Sequence, residues 1–237
     1  MKSRQLLFEL GIPCLVLLLL TMLFRMTDLD MALERGFFDP AFKHGFDTRA
    51  QPWRFLYKYG ELPAAACAIA AGALLVAGFF FQKLRCYRKA AAFVVLLVAL
   101  GPGLVTNTIF KDNWGRPRPR EIKEFKGTYD FLPVWTKGEG RRNGSFPSGH
   151  AAMAFFMIFP YFLLKDRHRQ AAYACLAGGL LYGALMGVTR MVQGGHFASD
   201  CVWSAGFIYL IGLGLYHALR LGNPADAFVG RRPQKQC

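Results

Sequence analysis

The sequence predicts an all-α, polytopic membrane protein: six transmembrane helices in one bundle, with short interfacial helices in the outer loops. Three observations lead to it. The 237-residue chain is 54% hydrophobic and has a positive mean hydropathy, more apolar than a soluble domain needs. Apolar stretches of about 18 residues or more recur along it, each long enough to cross the hydrocarbon core at ~1.5 Å per residue. The charges, +14 in net, gather in the segments between those stretches.

The first stretch, 6–24, follows Lys2 and Arg4, as the core of a signal peptide would. Glu9 interrupts it, however, and "FRMTDLD" follows in place of a small-residue cleavage site, so it reads as a retained helix. The loop 25–61 holds Pro40, Pro52 and scattered aromatics (Phe37, Phe38, Phe42, Phe46, Trp53, Phe55) and suits short helices at the outer interface. Spans follow at 62–81 and 90–110, then the long loop 111–149. The apolar run 150–164 is shorter and reaches spanning length only by starting near Pro147. The last two spans are 171–189 and 201–219. No repeat or linker divides the chain, which reads as a single domain over 1–237.

Orientation follows from the short loops. "QKLRCYRK" (82–89) and "KDRHRQ" (165–170) are compact and basic. Six spans put them on one side with Lys2, Arg4 and the tail residues Arg231, Arg232 and Lys235. The positive-inside rule makes that side, and both termini, cytoplasmic. The opposite side holds 25–61, with six basic and six acidic residues, and 111–149, with nine basic against five acidic. This outer excess of cations calls for an anionic ligand.

The six cysteines predict no disulfide: Cys14, Cys67, Cys175 and Cys201 lie in or beside spans, Cys86 and Cys237 on the cytoplasmic side. No Cys has an Arg six residues downstream, which excludes a thiol phosphatase loop. CxxC, HExxH and GxxxxGK[ST] are absent too.

Three polar clusters stand at the outer ends of consecutive spans. The third span runs into Lys111, then Arg116, Arg118 and Arg120 spaced by prolines. The fourth opens with Pro147-Ser148-Gly149-His150, and the fifth leaves through Thr189-Arg190 to His196 and Asp200. Converged, the Arg and Lys side chains would bind a multiply charged oxyanion. The Pro-Ser-Gly helix start offers backbone N–H groups to the same anion. Two histidines beside it suit phosphoryl transfer, one as nucleophile at phosphorus and one as acid for the leaving oxygen. Asp200, four residues after His196, can accept its ring N–H. No metal or cofactor is required, because the cations neutralise the phosphoryl oxygens.

Taken singly, each feature has a plainer reading. A cation at a helix end is an interfacial anchor, Pro-Ser-Gly is an ordinary helix start, and "GRPRPR" is a basic loop beside anionic lipid. His168 and His217 read as interface residues, and His44 sits in a mixed loop without an evident partner. The coincidence of all three clusters on one face argues against those readings.

Lys111, six residues, Arg118-Pro119; Pro147-Ser148-Gly149-His150; and Thr189-Arg190, five residues, His196, three residues, Asp200 resemble, in order and spacing, the three motifs of the type 2 phosphatidic acid phosphatases. The resemblance implies a six-helix fold and a phosphohistidine mechanism. It makes His196 the nucleophile, Asp200 its orienting partner and His150 the general acid. Lys111, Arg118, Ser148, Gly149 and Arg190 bind the phosphate. Thr189 stands where the family usually has Ser and keeps a hydroxyl, a possible contact to substrate. Arg116-Pro117 duplicates the Arg-Pro step off the family spacing, which leaves Arg116 for a second anionic group.

The partners implied are the bilayer and a membrane lipid phosphate, with no nucleic acid. Short loops fit a bacterial inner-membrane enzyme with its site facing the periplasm. "KDNWGRPRPREIKEFKG" resembles a segment of lipid A 1-phosphatases. Undecaprenyl diphosphate, phosphatidylglycerol phosphate and phosphatidate stay open as substrates. The soluble vanadium haloperoxidases, which share the motif logic, fit poorly with six spans. A non-enzymatic transporter of anionic lipid would place charge along the spans. Here the charge collects at one edge, and no paired broken helices appear.

Overall fold

The computed structural model describes residues 2–42, 45–139 and 144–222. His44, the loop cations Arg141 and Arg142, the tail cations Arg231, Arg232 and Lys235, and Cys237 lie outside the described residues. Among those described no strand forms, and the chain is helical throughout apart from the long loops.

The first span is α1 (Lys2–Met26). Most of its leucines face outward, with Leu7, Leu15 and Leu19 all more than half exposed, as a helix solvated by lipid requires. Glu9, the anomaly in this apolar run, has a partner: its Oε2 lies 2.5 Å from Lys165 Nζ. A carboxylate at membrane depth is tolerable only when paired, so Glu9 ties α1 to the fourth span.

The first loop forms α2 (Leu29–Arg35) and α3 (Trp53–Tyr59), the two short helices anticipated there. Gly60 and Glu61 join α3 to α4 (Leu62–Phe80). A basic turn, Gln82–Tyr87, leads to α5 (Arg88–Val98), which continues as a wider helix with i→i+5 bonding over Ala99–Lys111. The fourth segment is α6 (Gly149–Phe155), one tight turn at Phe156–Ile158, and α7 (Phe159–Leu164). The chain ends with α8 (Arg169–Val192) and α9 (Ala198–Ala218).

Five helical stretches are long and apolar enough to cross a membrane: Leu7–Met26, Trp53–Phe80, Gln82–Lys111, Arg169–Val192 and Ala198–Ala218. The expected sixth falls short. Its helix begins at Gly149, not nearer Pro147, and ends at Leu164, about 24 Å at ~1.5 Å per residue. It is the segment most enclosed by protein: Ala151, Ala152, Ala154, Phe155, Phe156 and Ile158 are all buried. Small residues let α8 close on it. A Cβ at Gly183 would fall inside the Phe155 ring, and one at Gly179 within 2.7 Å of Ile158. Such small-residue faces are how helices approach each other in lipid.

The loops at one end of the bundle are ordered by aromatic packing. Trp114, Trp135 and Phe146 meet Phe110, Trp203 and Phe207 with ring centroids about 5–6 Å apart. The Trp of the Trp-Gly-Arg run is thus a packing anchor. Val134 O also accepts from Arg25 Nη1 at 2.6 Å, which fastens the long loop to the end of α1.

Candidate active site

The three motif segments meet at this end of the bundle, joined mainly through backbone groups. Ser145 N–H donates to Arg116 O (2.8 Å), Arg120 N–H to Gly194 O (3.1 Å), and Ser204 Oγ to Ser148 O (2.9 Å). Gly194 makes the turn from α8 to His196 at φ +59°, where a Cβ would strike the Phe46 ring. This left-handed position favours glycine.

His196 is buried. Its Nδ1 lies 2.6 Å from Ser145 O. A carbonyl only accepts, so Nδ1 carries the proton and Nε2 keeps its lone pair. Burial pushes the imidazole pKa down to about 3; Arg190 and Arg118 act in the same direction and Asp200 opposes them. His196 is therefore a neutral ring with an unprotonated Nε2, the form a nucleophile needs.

The expectation that Asp200 accepts this ring proton is corrected. Asp200 Oδ2 is 3.7 Å from Nδ1, outside hydrogen-bond range, and accepts Phe197 N–H at 2.9 Å. Its Oδ1 takes Arg116 Nη1 at 2.5 Å. Helical spacing brought Asp200 near the ring, but a closer carbonyl from a distant loop took the proton.

Arg116 is corrected as well. It does not face substrate: it is fully buried, with every arm of the guanidinium engaged. Nη2 meets Asp30 Oδ2 (2.8 Å), Nη1 meets Asp200 and Ser199 Oγ (2.9 Å), and Nε donates to Leu132 O (2.8 Å). Asp30 also accepts Ser199 N–H (3.0 Å) and Ser199 Oγ–H (2.5 Å). Burial opposes the Arg116 charge, but Asp200 and Asp30 more than compensate and raise its pKa. Glu34, one turn after Asp30, is buried with no hydrogen-bond partner on either oxygen. Burial, then Asp30 and Asp200, hold its carboxyl well above the usual range.

Thr189 does not serve as a substrate contact either. It is fully buried and donates its hydroxyl to Leu185 O at 2.9 Å, within its own helix. Thr and Ser make this back-bond equally well, which explains why the departure from the family pattern is harmless to the fold.

The remaining motif residues lie near one another. Lys111, Arg118 and Arg190 all lie within electrostatic reach of His150. Gly149 sits close to its neighbours: a Cβ there would stand 3.0 Å from Asn107 Oδ1 and 3.3 Å from Lys111 Nζ. Ser148 caps the helix, its Oγ accepting Ala151 N–H at 3.4 Å. Arg190 is held by Gln193 Oε1 at 2.5 Å, while its Nε, also buried, has no partner. Arg118 is mostly buried, and burial followed by Arg120 lowers its pKa. A multiply charged anion would relieve that crowding. His150 is only partly buried; its ring stacks on Tyr57 (centroids 4.8 Å, 21°) and its Nδ1 lies 3.7 Å from Glu61 Oε1.

Sequence reading missed Asp30, Tyr57, Glu61 and the Ser145 carbonyl. Three of these had a signal. Asp30 and Glu34 are acidic residues one turn apart on a short helix, across from an Arg with no assigned partner. Tyr57 and Glu61 share that spacing at the mouth of the second span. A backbone carbonyl leaves no mark in a sequence.

Residues 90–222 match the family model described as PAP2 superfamily. The chain is 38% identical over 138 residues to a lipid A 4'-phosphatase of Francisella tularensis subsp. novicida, covering 57% of this chain and 61% of that protein. It is 32% identical over 126 residues to a lipid A 4'-phosphatase of Rhizobium leguminosarum, 53% of this chain and 52% of that one. A lipid A 1-phosphatase of Rhizobium etli is 35% identical over 107 residues, 44% of this chain and 40% of that one. The matches thus span about half of these relatives' lengths. No solved structure matches the chain.

Proposed function

Because the chain belongs to the PAP2 superfamily, we propose that it is a membrane-embedded lipid phosphatase that works through a phosphohistidine on His196. The observation that carries this is the state of His196: a neutral ring, its Nδ1 proton committed to Ser145 O, and Nε2 unprotonated among Arg118 and Arg190. Nε2 attacks phosphorus and the P–O bond to the lipid breaks. His150 gives its proton to the departing oxygen. Water, giving a proton back to His150, then attacks the phosphohistidine and releases inorganic phosphate. Lys111, Arg118, Arg190 and the N–H groups of the first turn of α6 hold the phosphoryl oxygens through both steps. The chemistry needs no metal, since these cations supply the charge stabilisation.

Lipid A phosphate is the proposed substrate, with the 4'-phosphate preferred over the 1-phosphate. The two relatives above with the longer matches carry the 4' name. The proposed setting is the bacterial inner membrane, with both termini in the cytoplasm and the site facing the periplasm. In support, the basic turns Gln82–Tyr87 and Lys165–His168 stand between spans at the end away from the motif loops.

The test is phosphate release by purified protein, with chelator present, from lipid A labelled at the 1- or the 4'-position. Undecaprenyl diphosphate, phosphatidylglycerol phosphate and phosphatidate run beside it. Release from the 4'-position is expected to be fastest. Faster release from another lipid reassigns the substrate, and release from none removes the enzyme reading in favour of a lipid-handling role.

A further inference from the structure

Two side chains from outside the family match, which begins at residue 90, reach the candidate acid. The Tyr57 ring stacks on His150 with centroids 4.8 Å apart, and Glu61 Oε1 lies 3.7 Å from His150 Nδ1. Tyr57 also meets Arg190, whose guanidinium carbon is 4.5 Å from the ring centroid. The two residues are four apart at the start of the second span, so they project from one face. Their seat is fixed by Tyr182, which donates its hydroxyl to Gly60 O at 2.6 Å and pins the α3–α4 junction to α8. Tyr57 is 42% exposed, so packing alone does not account for an aromatic ring laid against two motif side chains.

We propose that Tyr57 and Glu61 are positioning residues that favour the protonated form of His150 and aim it at the leaving oxygen, so that segment 53–61 completes the active site. This rests on the reading of His150 as the leaving-group acid. The charged groups around His150 are Lys111 from the third span, Arg118 from the long loop, Arg190 from α8 and Glu61 from the second span. Burial first, and then Arg190, Lys111 and Arg118, oppose a positive charge on the ring. The Glu61 carboxylate, at ion-pair distance, and the negative face of the Tyr57 ring favour it. With Nδ1 facing Glu61, Nε2 is left for the substrate. As the P–O bond breaks, the Nε2 proton passes to the lipid oxygen, and the ring becomes neutral with its Nδ1 proton still toward Glu61. When water attacks the phosphohistidine, Nε2 takes a proton from it and the starting state returns.

The experiment uses the full chain in nanodiscs, with Glu61→Gln, Tyr57→Leu and Tyr57→Phe. Hydrolysis of lipid A and of nitrophenyl phosphate is followed across pH, and His150 is titrated by ¹⁵N NMR of its side chain. Glu61→Gln is expected to slow the lipid reaction about tenfold or more while largely sparing the nitrophenyl ester, whose leaving group needs little acid help. It should move the alkaline limb of kcat/KM, and the His150 titration, down by about one pH unit. Tyr57→Leu should behave similarly, and Tyr57→Phe, which keeps the ring, should recover most of the loss. Equal slowing of both substrates with an unmoved alkaline limb overturns the proposal. So does an unmoved His150 titration, or a Phe variant as damaged as the Leu variant. The NMR titration requires no turnover: a wild type that hydrolyses neither substrate refutes the phosphatase reading, whereas an unmoved titration in an active enzyme refutes only the role of Glu61.

Discussion

His196 gives its Nδ1 proton to the backbone carbonyl of Ser145 across 2.6 Å, while Asp200, one helical turn away, stands 3.7 Å off and holds Arg116 instead. His196, the proposed nucleophile, and the carboxylate beside it therefore do separable work. His196→Ala should abolish phosphate release and the trapping of ³²P on histidine, at a cost of about 1–3 kcal/mol of stability for the carbonyl left unpaired. Asp200→Ala should cost about 3–5 kcal/mol of stability as well, because it strips one partner from a buried charge. Equal melting temperatures for the two variants would contradict this division.

The neighbouring Arg-Pro steps should respond in opposite ways. Arg116→Ala leaves Asp30 and Asp200 buried without their counter-charge and should destabilise by about 3–5 kcal/mol. Arg118→Ala should keep the fold but lose roughly 10²–10³-fold in kcat, the scale for removing a donor aimed at developing charge. Thermal melts of both variants beside their rates decide it. A stable Arg116→Ala with lowered affinity for substrate would return Arg116 to the substrate.

The pH dependence of stability follows from His196. Its pKa is about 3 in the folded chain against about 6.5 when unfolded. Between those values the unfolded chain binds a proton that the folded chain refuses, so stability falls as pH drops from about 6.5 toward 3. His196→Gln should flatten this acid limb in melts taken from pH 7 to pH 4. Catalysis should show no loss from protonation of the nucleophile above about pH 4, so an acid limb in kcat/KM near pH 6 that disappears in no His150 or substrate variant would count against a neutral His196.

Leaving-group dependence separates the two histidines. A lipid alkoxide leaves poorly, and His150→Ala should cost about 10²–10⁴-fold on lipid A but far less on nitrophenyl phosphate. His196→Ala should lose both, because attack on phosphorus precedes either departure. Parallel losses for His150→Ala would make it a binding or structural residue.

Chelators should leave the rate unchanged, because Lys111, Arg118 and Arg190 supply the positive charge that a metal would otherwise bring. Loss of activity in EDTA, restored by one particular divalent ion, would replace this account with a metal-assisted one.

Five of the six expected spans, the motif spacings and the gathering of the motifs at one end of the bundle were legible in the sequence. A bilayer admits little but helices, so a long apolar run already has its structure, and alternation of spans then assigns each loop to a face. Tertiary structure decided what each polar group does on that face. Arg116 and Arg118 sit in the same local pattern of Arg and Pro, yet one is sealed between Asp30 and Asp200, 86 and 84 residues away, and the other lies with Lys111 and Arg190 near His150. His196 found its acceptor in a carbonyl 51 residues upstream, closer than the carboxylate one turn on. Gly149–Leu164 is shorter than the other spans and is the segment most enclosed by protein. Periodicity and spacing are properties of the chain alone. Which charge is buried, and which acceptor lies nearest, depend on distances that exist only once remote segments have packed.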